Sequence, residues 1–168
     1  MIRVLGIDIP RGWAVVDVAT GSYLHGMAHG VAFGELDEGR EVEHFAELVS
    51  KYQPLRVAIE TPLEPYHHGR GGAGKEEGAR RSIGISLISC AMLAGRIWQQ
   101  SVNMFLPNVV VTDANSCRRK LGIGGRTRTE KDQAVKQYVR THVRGWSAKS
   151  NTDERDACAV AIYGGRTN

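Results

Sequence analysis

The chain lacks the features that would place it outside a reducing compartment or in a membrane. Its three cysteines, Cys90, Cys117 and Cys158, are isolated and odd in number, which gives neither a disulfide framework nor a zinc-binding spacing. No apolar stretch approaches the roughly 18 residues of a membrane span. The short apolar run at the N-terminus breaks at Asp8 and does not read as a signal peptide. Internal repeats and interdomain linkers are missing as well. These absences point to a cytoplasmic protein with no membrane partner, folded as a single domain over residues 1–168, a length that can bury a substantial core.

What is present has an uneven charge distribution. The formal charge is only +4, which permits an anionic partner without requiring one. Between Arg118 and Lys149, however, ten Lys/Arg stand against two acids, Glu130 and Asp132. From Val31 to Glu64 the balance reverses, with eight Asp/Glu against three Lys/Arg. A basic third beside an acidic third is the footprint expected of a nucleic-acid binder, although a solvated face with no partner has the same composition.

Alternating and turn residues predict three strands at 2–8, about 12–18 and about 22–33, joined as an antiparallel meander. Val42, Phe45, Ala46, Val49 and Tyr52 predict a helix over 39–53, stopped by Pro54, and a strand follows at 55–60. A polar, Gly-rich loop covers 64–78. A long helix spans about 79–101, with Ile83, Leu87, Cys90, Ala91, Ala94 and Trp98 on one face and further apolar residues wrapping around it. A strand at 108–112, a short helix at 114–121 and helices at about 130–143 and 152–163 complete a mixed α/β domain.

Three of these elements meet carboxylates. The run from Ile2 ends on Asp8, the run Arg56 to Ile59 ends on Glu60, and the last helix opens with Asp153 and Asp156 above its core stripe of Ala157, Val160 and Ala161. Carboxylates at the ends of buried elements are costly unless a cation meets them. Each has an ordinary alternative: Asp8 as a turn residue before Pro10, and Asp153 or Asp156 as helix-start residues at the positive dipole end. Glu60 is harder to assign to a turn, and two acids on the inner face of one helical turn exceed what a helix start needs. Together the four acids suggest a site for hard divalent metal and hence metal-dependent phosphate chemistry.

The ordered set Leu5-Gly6-Ile7-Asp8, Val57-Ala58-Ile59-Glu60, Leu121-Gly122-Ile123-Gly124 leading to Glu130-Lys131, and Asp153 to Ile162 resembles the RuvC-type Holliday junction resolvases of the ribonuclease H-like superfamily. The resemblance spans nearly the whole chain. It implies a five-stranded mixed sheet flanked by helices, with Asp8, Glu60, Asp153 and Asp156 as catalytic ligands of two Mg²⁺ ions per site, Mn²⁺ being a substitute. It also implies a homodimer that makes paired symmetric nicks in four-way DNA. Lys131 matches a basic residue of the family, and Arg118-Arg119-Lys120 lies where the family carries another DNA-contacting lysine. The chain departs from the pattern at Ile9-Pro10-Arg11 after the first acid. It departs again at Leu63, where members can carry a junction-wedging aromatic; Tyr66 is the nearest aromatic. Tyr66, Arg80, Arg81, Arg118, Lys120 and Lys131 are therefore the candidate DNA contacts.

Two other motifs weaken on inspection. Gly69 to Lys75 fits a phosphate-binding G-x-x-x-x-G-K, but Glu76 stands where Ser or Thr is needed, so no nucleotide cofactor is expected. His67 and His68 are adjacent, which in an extended segment points them opposite ways. The alternatives to a junction resolvase are a flap or fork endonuclease of the same fold and a non-catalytic junction-binding protein.

Overall fold

This computed structural model describes residues 1–19, 28–61 and 77–167, and of residues 77–86 the backbone only. Strands β1 (Ile2–Asp8), β2 (Gly12–Val18) and β3 (Ala28–Glu35) form the expected meander. The predicted start of the third strand, at 22, falls outside the described residues. Helix α1 (Glu41–Tyr52), strand β4 (Arg56–Glu60), helix α2 (Glu77–Asn103) and strand β5 (Val109–Thr112) come next. Helices α3 (Ala114–Leu121) and α4 (Arg128–His142), strand β6 (Val143–Arg144) and helix α5 (Thr152–Gly165) finish the chain.

Among the described residues the sheet has six strands in the order β5-β4-β1-β2-β3-β6, one more than the five expected. The extra strand arises where α4 ends: Val143 turns extended as its C-cap and pairs, parallel, with Ala28. Two residues leave no periodicity to detect. The helix boundaries follow local chemistry. Gln53, in the left-handed region at φ 48°, closes α1 just before Pro54. Asp113 caps α3, and reciprocal capping boxes open α4 (Thr127 with Glu130) and α5 (Asn151 with Glu154).

Helices pack on both faces. Val4, Ala14, Val16, Val18 and Ala58 meet α3, α4 and α5, whereas Leu5, Ile7, Val15, Val57 and Ile59 meet α1 and α2. Among the described side chains of α2 the buried positions are Ala94, Ile97 and Ser101, while Trp98 is 46% exposed. Of the apolar face predicted from Ile83 to Trp98, Ala94 is covered and Trp98 is not. The helix carries two apolar faces, and periodicity does not say which one the sheet covers.

Strand alternation then fixes what faces α5. Val4 and Ala58 point to that side, so by the two-residue period Gly6, Asp8 and Glu60 do too. A Cβ on Gly6 would collide with the Ala157 carbonyl and lie 2.6 Å from the Ala161 nitrogen. A Cβ on Gly12 would collide with the backbone of Asp153. From the helix side, a Cβ on Gly164 would come within 2.6 Å of the Ala58 Cβ. Helix α5 is thus laid on the sheet backbone to backbone, and the Arg56 guanidinium ties its far end by donating to the carbonyls of Gly164 and Thr167. We expect Gly6→Ala to destabilise the fold by about 2–3 kcal/mol through overpacking, read as a lower urea midpoint with an unchanged slope.

Candidate active site

The four predicted acids come together at one end of α5. Asp8 and Glu60 are register partners at the ends of the parallel strands β1 and β4, so their side chains leave the sheet side by side on the α5 face. Asp153 and Asp156 lie in the first turns of α5, which Gly12 allows to approach the start of β2. An open cleft of about 440 Å³ is lined by Asp8, Asp153 and Asp156, with Arg118, Arg128 and Lys131 around them. Glu60 does not line this cleft. It is largely buried, and Thr112 is its neighbour in β5.

The electrostatics show how close these groups are. Burial raises the Asp8 carboxyl well above its usual range, and the charges of Glu60, Asp156 and Asp153 push it the same way. Glu60 is pushed up to about 7 by burial and by Asp156, with a smaller push from Asp113, the α3 cap. Asp156 rises through burial and through the charges of Asp132 and Asp153. One cation opposes all three shifts: Arg118. Its Nη2 stands 3.6 Å from Asp156 Oδ2, an ion pair longer than a hydrogen bond. The thiol of Cys117, buried beside the cluster, is raised by burial first and then by Glu60.

A set of half-buried carboxylates converging from three elements is the donor chemistry of a hard divalent cation. The set fits such an ion in kind. Among the described residues, however, no three His, Cys, Asp or Glu are arranged to hold a metal ion as they stand. The chain meets the negative charge with Arg118 instead.

The predicted DNA contacts divide. Arg118 and Lys131 are at the cleft. Lys120 is not: it donates to Thr167 Oγ1 and covers the Tyr163 ring, at the opposite end of α5 from the acids. The side chains of Arg80 and Arg81, and all of Tyr66, Leu63, His67, His68 and the Gly69–Lys75 motif, lie outside what is described. Two charged cleft residues were not among the candidates, Arg128 and Asp132. Their signal was available, since Arg128, Lys131 and Asp132 share one face at i, i+3 and i+4 in the first turns of α4.

No family model matches the chain, and no curated protein matches it. Solved structures do. The RuvC structure of Thermus thermophilus superposes with a TM-score of 0.62 at 18% identity, covering 96% of this chain and 92% of that one. The structure of T. thermophilus RuvC in complex with Holliday junction substrate gives the same score and identity over 97% and 92%. The fold is therefore the ribonuclease H-like one that the sequence led us to expect.

The raised Glu60 pKa has a consequence for stability. A carboxyl that holds its proton more tightly in the folded state stabilises the fold at low pH, and loses that contribution as pH rises from about 4.5 to about 7. Glu60→Gln keeps a neutral group there. Its Tm should equal that of the wild type near pH 4.5 and exceed it by on the order of 5 °C at pH 8, measured by calorimetry.

Proposed function

We propose that this protein is a Holliday junction resolvase, a divalent-metal endonuclease that nicks four-way DNA on opposed strands as a homodimer. The observation that carries the reading is the meeting of Asp8, Glu60, Asp153 and Asp156, from three separate elements, beside a basic cleft wall. The choice of branched DNA is supported by the neighbour of the same fold that is solved with Holliday junction substrate.

In this reading Asp8, Glu60, Asp153 and Asp156 hold two Mg²⁺ ions, with Mn²⁺ as a substitute, which when bound supply a nucleophilic water and neutralise charge on the leaving 3′-oxygen. The remaining work belongs to the chain. Arg128 and Lys131, set on the first turns of α4 by the Thr127–Glu130 capping box, attract the phosphates flanking the cut. Partial burial of Asp8 and Glu60 reduces the screening of their charges, which strengthens the interactions they make.

Two nicks on opposed strands need two sites related by a two-fold axis. Helix α2 offers a surface for that. On the side away from the sheet, Ile88 and Met92 are 62% and 65% exposed, and Trp98 and Val102 continue the stripe. Exposed apolar rows of this kind mark interfaces.

A labelled synthetic four-way junction, incubated with and without Mg²⁺, tests the proposal, with three-way and linear duplexes alongside. Paired symmetric nicks on the four-way junction, dependent on Mg²⁺, are expected. Equal cutting of three-way substrates would indicate a broader branched-DNA nuclease, and binding without nicking a junction-binding protein. Asp8→Asn should bind the junction with wild-type affinity and cut it at least about 10³-fold more slowly; full cleavage would remove Asp8 from the catalytic set. Met92→Asp should convert a dimer to a monomer in analytical ultracentrifugation.

A further inference from the structure

Helix α3 holds Arg118 where it can serve two partners. The helix is pinned at its start by the Asp113 cap and along its inner side by buried Cys117 and Leu121. At its end, Arg118's own carbonyl accepts from the backbone of Gly122 and Ile123. The backbone at Arg118 is thus fixed, and only the side chain is left to move. That side chain is 18% exposed and reaches Asp156, itself 15% exposed, across the wall of the cleft.

The ion pair is a loose one. At 3.6 Å the two groups are in Coulombic contact without a hydrogen bond, so the guanidinium keeps donors to give to another acceptor. Arg118 is also the one described cation whose charge opposes the mutual repulsion at Asp8, Glu60 and Asp156 together. As the acids stand, with Arg118 among them, no three are arranged to take an ion.

We propose that Arg118 is the internal counter-ion of the carboxylate cluster, occupying Asp156 in the ion-free state and exchanging it for a DNA phosphate when divalent cations enter. The inference rests on reading the four acids as a cation site. Arg118 and a divalent ion repel each other and compete for the same carboxylate, so each weakens the other's hold. Once displaced, the guanidinium is next to the cleft where a phosphodiester would lie, and its planar fork suits phosphate. The exchange couples metal loading to DNA engagement: in the ion-free protein Arg118 is retained by Asp156, and DNA phosphate and metal favour the same arrangement.

The test is a Mn²⁺ titration of the DNA-free protein at pH 8, followed by the paramagnetic resonance signal of free Mn²⁺, for the wild type, Arg118→Gln, Arg118→Lys and Asp156→Asn. Arg118→Gln should bind Mn²⁺ about tenfold more tightly than the wild type, the scale on which a charge a few ångströms away acts on a carboxylate. Arg118→Lys should stay near wild type, because it keeps the charge. Junction binding should weaken in Arg118→Gln even as its metal affinity rises, a split that a merely structural arginine would not produce. Equal or weaker Mn²⁺ binding by Arg118→Gln overturns the proposal and leaves the nuclease reading standing if Asp156→Asn still loses the ion. No Mn²⁺ binding by any of the four proteins overturns both. Should Arg118→Gln not fold, the ¹⁵Nε resonance of Arg118 in the wild type gives the answer. It should shift on Mg²⁺ addition without DNA, and its failure to move at saturating Mg²⁺ overturns the exchange.

Discussion

The contact on which the rest of this structure depends is the direct approach of α5 to the backbone of β1 and β2. Ordinary side chains would hold helix and sheet about 10 Å apart; here Gly6 and Gly12 on the sheet, and Gly164 and Gly165 on the helix, remove the spacers. The approach reaches the helix start, where Gly12 meets the backbone of Asp153. The same contact that buries Ala157 to Ile162 therefore delivers Asp153 and Asp156 to the ends of β1 and β4. Core packing and site assembly are one event in this fold.

Assembling four acids in this way costs stability, and the sheet carries the cost. Asp8 and Glu60 are raised by burial before any neighbour acts on them, which means that strand ends elsewhere closed by turns are here kept among repelling charges. The surrounding core is correspondingly well filled: Val4, Leu5, Ile7, Val57 and Ile59 are fully buried on the two strands that carry the acids. Such a trade between local strain and global packing is what a functional site in a stable scaffold requires.

The acids were legible because they broke a pattern. Asp8 and Glu60 end apolar strands, and Asp153 and Asp156 stand above a helical core stripe, so each is an exception that periodicity exposes. The central strands and α5 were legible for the same reason. Other elements were not. The pair Val143–Arg144 is too short to show a period, and its strand exists only because Ala28 lies opposite. Ala94 and Trp98 were read on one face of α2, which is apolar on two sides, whereas the side that meets the sheet is the one carrying Ala94, Ile97 and Ser101. Asp132 and Arg128 were counted as charges of a basic stretch; only the docking of α4 against α5 turns them into cleft residues. Lys120, two residues beyond Arg118, lies about 200° round α3 and so faces away from the wall that Arg118 lines. Non-local geometry decides these placements; only the shared face of Arg128, Lys131 and Asp132, at i, i+3 and i+4, was open to a local reading.

The order in which the elements leave the ribosome gives the glycine-mediated docking of α5 a further meaning. Strands β1 and β4 are made before α5, so the cluster joins residues far apart in sequence. Until α5 docks, Asp8 and Glu60 lie at an open sheet face where water can solvate them. Their repulsion with Asp153 and Asp156 arises only when the helix that completes the core arrives to withstand it. A partly made or partly folded chain thus holds its acids apart, and the carboxylate cluster comes into being together with the finished domain.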